Sequence, residues 1–388
     1  MSAGDGPAFA DPGLLESARA RADAHLELLE SLVAAESPSG DEERIRAVAA
    51  ILGRECDARG GRVERIDAPG AGVHLVARFG DERGSRKPLL VLGHMDTVHP
   101  VGTLGIMPFE VADDRLGGPG VYDMKGGLAC VLAGLDLLGE RGVELPGKVV
   151  LLVTCDEEVG STTSRPLIEE LAARSRAALV PEPCVPGGRV KTRRKGQAGY
   201  RLAVEGVAAH AGIEPQKGAS AIEEVARQIL RVGELADPEI GTTVSVGIVE
   251  GGSRPNVVAA SASCRVDVRF WTREEAERVD SAFRGLEAHH PRCRLSVEGG
   301  VNRYPLERTP DSARLFDVAR EEAAALGFEL GEGGSGGASD GNLTSGVGCP
   351  TLDGLGPDGG GAHSADEHVL VEDLPRRAAL MAALLARL

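Results

Sequence analysis

Aromatic residues are scarce in this chain of 388: one Trp, three Tyr and seven Phe, so a core of Val, Leu, Ala and Ile is expected. Excess positive charge is missing too. The formal net charge is −16, which argues against nucleic acid or an anionic membrane as a general partner, although a cleft can carry a local field of opposite sign. No apolar run reaches the length of a membrane span. Met1 to Gly13 has neither a basic stretch nor an apolar one, so no signal peptide is expected. The seven cysteines are odd in number and contain no Cys-x-x-Cys pair. Reduced, mostly buried thiols in a cytoplasmic protein are expected.

What is present exceeds a single core in length, so two domains are expected. Apolar residues recur at helical spacing over 14–35, where Pro38 stops the pattern, and again over 41–59. Strands are expected at 63–66, 73–78 and 88–92, the last almost continuously apolar, as a strand covered on both faces would be. A helix (125–138), a buried strand (148–154), a helix (166–173) and a strand (177–180) continue the alternation of a three-layer α/β domain. Between 193 and 304 the order becomes β-α-β-β-α-β, the ferredoxin-like unit, with helices at 220–235 and 273–289. Alternation resumes with helices at 311–326 and 374–388. The expected architecture is a larger α/β domain, 1–192 with 305–388, carrying an inserted ferredoxin-like domain.

Five short stretches place imidazoles and carboxylates at the ends of apolar strands or in Gly-rich loops, a combination that suits divalent cations. In Gly93-His94-Met95-Asp96, residues two apart point the same way in an extended chain. His94 can therefore bind a metal while Asp96 accepts from its other ring nitrogen, although His-x-Asp alone is common on surfaces. Asp123 lies in a Gly-rich loop before a helix, where a capping Asp would also serve; Lys125-Gly126 suggests a phosphate loop but lacks its Gly-Lys-Ser/Thr ending. Glu157 and Glu158 repel each other unless a cation is near. One could bind metal and the other act as general base, or the pair could be a solvated turn. Glu182 stands between Pro181 and Pro183, a backbone fixed for a ligand or for an exposed turn. His363 follows Gly359-Gly360-Gly361-Ala362, where it has little packing reason to be.

In this order the motifs resemble those of the M20 family of dinuclear zinc peptidases and amidohydrolases, in particular its glutamate carboxypeptidase branch. The resemblance implies two Zn²⁺ per subunit, with Co²⁺ or Mn²⁺ as substitutes. Asp123 would bridge the ions, His94 and Glu182 completing one set of ligands, Glu158 and His363 the other. Glu157 would be the general base and Asp96 the partner of His94. His210, in the loop 206–212, would reach across a homodimer and stabilise the oxyanion; an ordinary turn histidine is the other reading. Asn256 and Arg269 would contact a substrate carboxylate, a role the planar guanidinium suits; strand alternation alone would equally make Arg269 an outward residue. Gly337 would line the substrate cleft. Residues 193–304 would form a lid and dimerisation domain, the rest the catalytic domain. The implied reaction is hydrolysis of the amide bond of a short peptide or N-acyl amino acid with a free carboxylate, by metal-activated water. Carboxypeptidases and deacylases share that chemistry.

Two other classes compete. Gly331-Glu332-Gly333-Gly334-Ser335-Gly336 matches Gly-x-Gly-x-x-Gly after a candidate strand at 328–330, with Asp353 near the spacing of a ribose-binding acid, as in a dinucleotide-binding turn. The other class is a peptide-binding protein without turnover, against which the full set of ligands and base argues. The basic run Arg189, Lys191, Arg193, Arg194 and Lys195 reads as a solvated connector rather than a patch for acidic substrates.

Overall fold

The computed structural model describes residues 7–81 and 85–388. The chain starts with helices α1 (Pro12–Ala20), α2 (Ala22–Ala34) and α3 (Glu42–Ala58). Asp11 and Asp41 cap α1 and α3, accepting the N–H of Leu14 and Arg44. The helix expected over 14–35 is thus two, because the backbone leaves helical geometry at Arg21 (φ −105°, ψ 10°) without interrupting the apolar periodicity. Next come β1 (Arg62–Ala68), β2 (Gly72–Phe79), β3 (Leu89–His94), the short pair β4 (Glu110–Ala112) and β5 (Arg115–Gly117), and helix α4 (Gly126–Glu140). β6 (Val149–Thr154), α5 (Arg165–Arg174), β7 (Ala177–Val180) and β8 (Val190–Arg194) follow.

The chain then forms β9 (Gly196–Glu205), α6 (Ala221–Gly233), β10 (Thr243–Gly251), β11 (Ser261–Phe270), α7 (Arg273–Arg284) and β12 (Arg294–Arg303). It ends with α8 (Pro310–Ala325), β13 (Glu332–Ser335), α9 (Gly341–Gly346), β14 (Thr351–Asp353), β15 (Gly359–Gly360), β16 (His368–Leu370) and α10 (Asp373–Arg387). Two compact units result: a larger one from the residues up to Thr192 with Arg308–Ser335 and Ser339–Leu388, and a smaller one from Arg193–Glu307 with Gly336–Ala338.

In the larger unit an eight-stranded sheet runs β1-β2-β6-β3-β7-β14-β8-β13. Its centre, β6-β3-β7-β14, is parallel. Successive side chains of these strands enter opposite layers, as the two-residue period requires. Leu89, Val91, Leu151, Val153 and Leu179 pack with α3, α4, α8 and α10. Leu90, Leu92, Leu152 and Val180 pack with Ile168 and Ala172 of α5 and Leu343 of α9. The mixed α/β architecture expected from the alternation is present. A second small sheet, β15-β16-β5-β4, has no counterpart in the sequence reading, because its strands are two or three residues long.

The smaller unit is an antiparallel sheet, β10-β11-β9-β12, with two helices. Tyr200 stacks on Phe283 in its core, ring centroids 3.8 Å apart. Helix α7 stops at Arg284 rather than at 289. The carboxylate of Glu224, on α6, accepts the N–H groups of His289 and His290 at 2.8 and 2.9 Å and holds them out of the helix. Six of the seven cysteines are buried. Among the described residues no helix is long and apolar enough to cross a membrane.

Candidate metal centre

The parallel register of β3, β6 and β7 brings their C-terminal ends together, His94 lying opposite Thr154. Ligands in open α/β sheets collect at such ends. His94 is the last residue of β3 and is buried, as is Asp96. Glu157 and Glu158 begin a single 3₁₀ turn just after β6. Glu182, also buried, follows β7 between its two prolines. Asp123 sits in a tight turn over Val121–Lys125, with a cis peptide bond to Met124, before α4. Gly120 enters this turn at φ 72°, and a Cβ there would meet Thr97 Cγ2 at 2.5 Å. His363 follows β15 with φ 62°, in the left-handed region.

Asp123 joins the two histidines. Its Oδ1 lies 3.1 Å from His94 Nε2 and its Oδ2 3.3 Å from His363 Nε2. Glu182 Oε1 is 3.4 Å from His94 Nε2, and Glu158 Oε2 is 3.1 Å from His363 Nε2. The pairs expected to share an ion, His94 with Glu182 and His363 with Glu158, are therefore adjacent, with Asp123 between them. His94, Asp123 and Glu158 each offer a donor atom within 4.8 Å of one another.

Burial opposes charge on these groups, and their mutual contacts decide the outcome. Burial alone would lower His94, but Asp123, Asp96 and Glu182 hold it well above its ordinary value. Burial would raise Asp123, but His363 and His94 keep its carboxyl well below the usual range. Glu158 is pushed up to about 8, chiefly by burial, and its Oε1 is buried without a hydrogen-bond partner. Hydrogen bonding to Asp123 raises His363 to about 9. Clustered carboxylates, two imidazoles and an orphaned buried oxygen are the donor chemistry of a divalent cation site.

Asp96 does more than the sequence suggests. His94 Nδ1 is 2.9 Å from the backbone carbonyl of Asp96 and 3.5 Å from its Oδ1, so the main-chain oxygen, not the carboxylate, is the closer acceptor. The carboxylate instead accepts the N–H of Glu157 and of Glu158, both at 3.2 Å, and the hydroxyl of Ser39 at 2.7 Å. Behind this turn, Asp156 Oδ2 accepts the N–H and hydroxyl of Thr163.

Gly127, next to the Lys125-Gly126 pair that suggested a phosphate loop, serves close packing. A Cβ on it would lie 1.8 Å from the carbonyl oxygen of Pro181, the residue before Glu182. The competing dinucleotide motif is not a turn. Residues 332–335 form β13, residues 328–330 are not a strand, and the next helix begins only at Gly341.

The other expected residues lie in the smaller unit. His210 pairs with Val257 in an isolated bridge, and Ala211 donates its N–H to the Asn256 carbonyl at 3.0 Å, so His210 and Asn256 are neighbours. Arg269, on β11, donates from Nε and Nη2 to Asp267 at 2.8 and 3.1 Å; its fork is engaged by the residue two before it. The carbonyl of Gly337 accepts from Arg194 Nη1 at 3.2 Å. Two residues near Asp123 went unnoticed in the sequence. Glu367 accepts the N–H groups of Tyr122 and Asp123, and His99 contacts its other oxygen. Glu367 acts on main-chain N–H groups of another loop, and His99 acts on Glu367 from 268 residues away, which leaves no spacing signal.

Comparison with known proteins gives the family. Residues 90–387 match the model of peptidase family M20/M25/M40. The chain is 32% identical over 385 residues to carboxypeptidase G2 of Pseudomonas sp. (strain RS-16), covering 97% of this chain and 92% of that protein. It is 30% identical over 341 residues to a succinyl-diaminopimelate desuccinylase of Gluconacetobacter diazotrophicus, covering 83% and 86%. The fold matches the crystal structure of aminopeptidase PepT from Bacillus cereus with a TM-score of 0.76 at 22% identity, covering 97% of this chain and 99% of that one. The chain belongs to peptidase family M20/M25/M40, a family of metal-dependent hydrolases.

Proposed function

We propose that this hydrolase cleaves the amide bond of a short peptide or N-acyl amino acid that carries a free carboxylate. The observation that carries the reading is Asp123, with one oxygen toward His94 and the other toward His363. His94, Glu182 and Asp123 would hold one divalent cation, and His363, Glu158 and Asp123 a second; imidazole with carboxylate favours Zn²⁺, with Co²⁺ or Mn²⁺ as substitutes. Two such ions supply Lewis acidity, polarising a carbonyl and making water more acidic. Glu157 takes the proton of the attacking water and returns it to the departing amine, so the nitrogen leaves neutral as the C–N bond breaks. Asp96 holds Glu157 and Glu158 in register through their N–H groups.

His210, acting on the active site of a second copy, would donate to the developing oxyanion, and Asn256 and Arg269 would bind the substrate carboxylate. Arg269 would have to exchange its pairing with Asp267 for that role. The homodimer would form through the smaller unit. β10 is the outer strand of its sheet, and Ile248 and Val249 on it are exposed, as are Ile222 and Leu230 on α6. An unpaired edge beside apolar side chains suits pairing with a like strand.

The test combines metal analysis with a hydrolysis panel of N-acyl amino acids and dipeptides, comparing the wild type with Glu157→Ala. The wild type should hydrolyse at least one carboxylate-bearing amide and stop when stripped of metal. Glu157→Ala should keep its metal and lose about 10²–10⁴ in kcat, the usual contribution of a positioned base. Hydrolysis that persists in Glu157→Ala, or a metal-loaded wild type inert on the whole panel, would sink the reading.

A further inference from the structure

Glu367 joins three segments that converge on the metal centre. Its Oε1 accepts the N–H of Tyr122 at 2.9 Å and of Asp123 at 3.0 Å, and its Oε2 lies 2.6 Å from His99 Nε2. It is 2% exposed. Glu367 stands four residues after His363, immediately before β16, and His99 stands five residues after His94. One carboxylate therefore links the segments that carry His94, Asp123 and His363.

We propose that Glu367, oriented by His99, is the positioning residue that sets the Asp123 carboxylate across the two histidines. Two successive N–H groups donating to one oxygen fix the peptide plane from which the Asp123 side chain projects. Bonds from N–H to an ionised carboxylate are the stronger kind. His99, bonded to the second oxygen, prevents the carboxylate from rotating away. Strand pairing anchors the arrangement from behind, because β16 pairs with β5 and β15. The inference rests on the proposed metal reading, since it assigns Glu367 an effect on ion affinity.

The experiment titrates metal-free protein with Co²⁺, followed by its visible absorption, and with Zn²⁺ by calorimetry. The variants are Glu367→Ala, Glu367→Gln and His99→Gln, each checked for its metal-free melting temperature. Glu367→Ala should bind both ions about 10–100-fold more weakly, the usual effect of removing a group that orients a ligand. Glu367→Gln keeps an acceptor for the two N–H groups and should recover most of the loss. His99→Gln should weaken binding in the same direction by a smaller factor, and it carries the test if Glu367→Ala does not fold. Unchanged affinity in folded Glu367→Ala, or in His99→Gln in its place, overturns the tether while leaving the proposed function standing. A wild type that takes up neither ion overturns both.

Discussion

The backbone N–H of Glu157 donates to Oδ1 of Asp96 at 3.2 Å. The second oxygen, Oδ2, accepts the N–H of Glu158 at 3.2 Å and the Ser39 hydroxyl at 2.7 Å. Every donor to this fully buried carboxylate needs an acceptor opposite it. Asparagine keeps only one. Asp96→Asn should set its amide N–H groups against either Glu157 or Glu158, costing about 1–3 kcal/mol for the unsatisfied pair. It should also let the general base drift, lowering kcat about 10–100-fold. KM should change little, because Asp96 touches the turn and not the substrate. Chemical denaturation and steady-state kinetics on the best panel substrate check both parts, and wild-type kcat in Asp96→Asn would contradict the assigned role.

Gly127 offers a test of how helix and ligand are coupled. An added Cβ would lie 1.8 Å from Pro181 O, 2.9 Å from Pro181 C and 3.1 Å from its side chain. Backbone cannot yield as a flexible side chain does. Either the N-terminus of α4 or the end of β7 must move, and both carry a metal-centre residue nearby, Asp123 on one side and Glu182 on the other. Gly127→Ala should destabilise the fold by about 1–3 kcal/mol, as overpacking does, and weaken Zn²⁺ binding as well. Gly139, in the same helix with nothing within 4 Å of its added Cβ, is the control: Gly139→Ala should leave metal affinity as it is.

The seven residues that gather at the candidate centre drew attention in the sequence because of where they stand. His94, Asp96, Glu157, Glu158 and Glu182 come just where apolar strands end, and Asp123 and His363 lie in Gly-rich loops, places where imidazole or carboxylate has little packing use. The three-layer sheet was legible for the same reason, since β3 and β6 are apolar on both faces. What escaped depends on contacts distant in sequence. The end of α7 is decided by Glu224, more than 60 residues away. Glu367 acts through main-chain groups of another loop, and His99 through the Glu367 carboxylate. Arg269 shows the opposite failure: its engagement with Asp267, two residues before it, is local, yet strand alternation says only that the two share a face.

Protons and metal compete for the same atoms. Glu158, pushed up to about 8 mainly by burial, and His363, raised to about 9 mainly by its bond to Asp123, both hold a proton at neutral pH in the metal-free protein. An ion must displace those protons. Affinity should therefore rise as pH increases from about 6.5 to about 8.5, with protons released on binding. Ligands at their ordinary values, about 4.3 for Glu and 6.5 for His, would give a nearly flat profile above pH 7. Calorimetry with Co²⁺ in two buffers of different ionisation enthalpy measures both the affinity and the protons released, and a flat profile without proton release would refute the assignment.

The proposed assembly makes a prediction that separates dimer formation from metal binding. Leu230 is 73% exposed on α6 and Ile248 47% exposed on β10, and both belong to the smaller unit, whereas the metal-centre side chains belong to the larger. Leu230→Glu with Ile248→Glu places charges on a surface that a second copy would otherwise cover, and buried unpaired charges strongly oppose association. Sedimentation velocity should show a dimer for the wild type and a monomer for the double variant, with the same Zn²⁺ affinity. If His210 serves the partner's active site, the monomer should also lose about 10²–10³ in kcat, the effect of removing one oxyanion donor. His210→Ala in the dimer should lose a similar factor. A fully active monomer would show that His210 is not needed across the interface, and a persistent dimer would place the interface elsewhere than on α6 and β10.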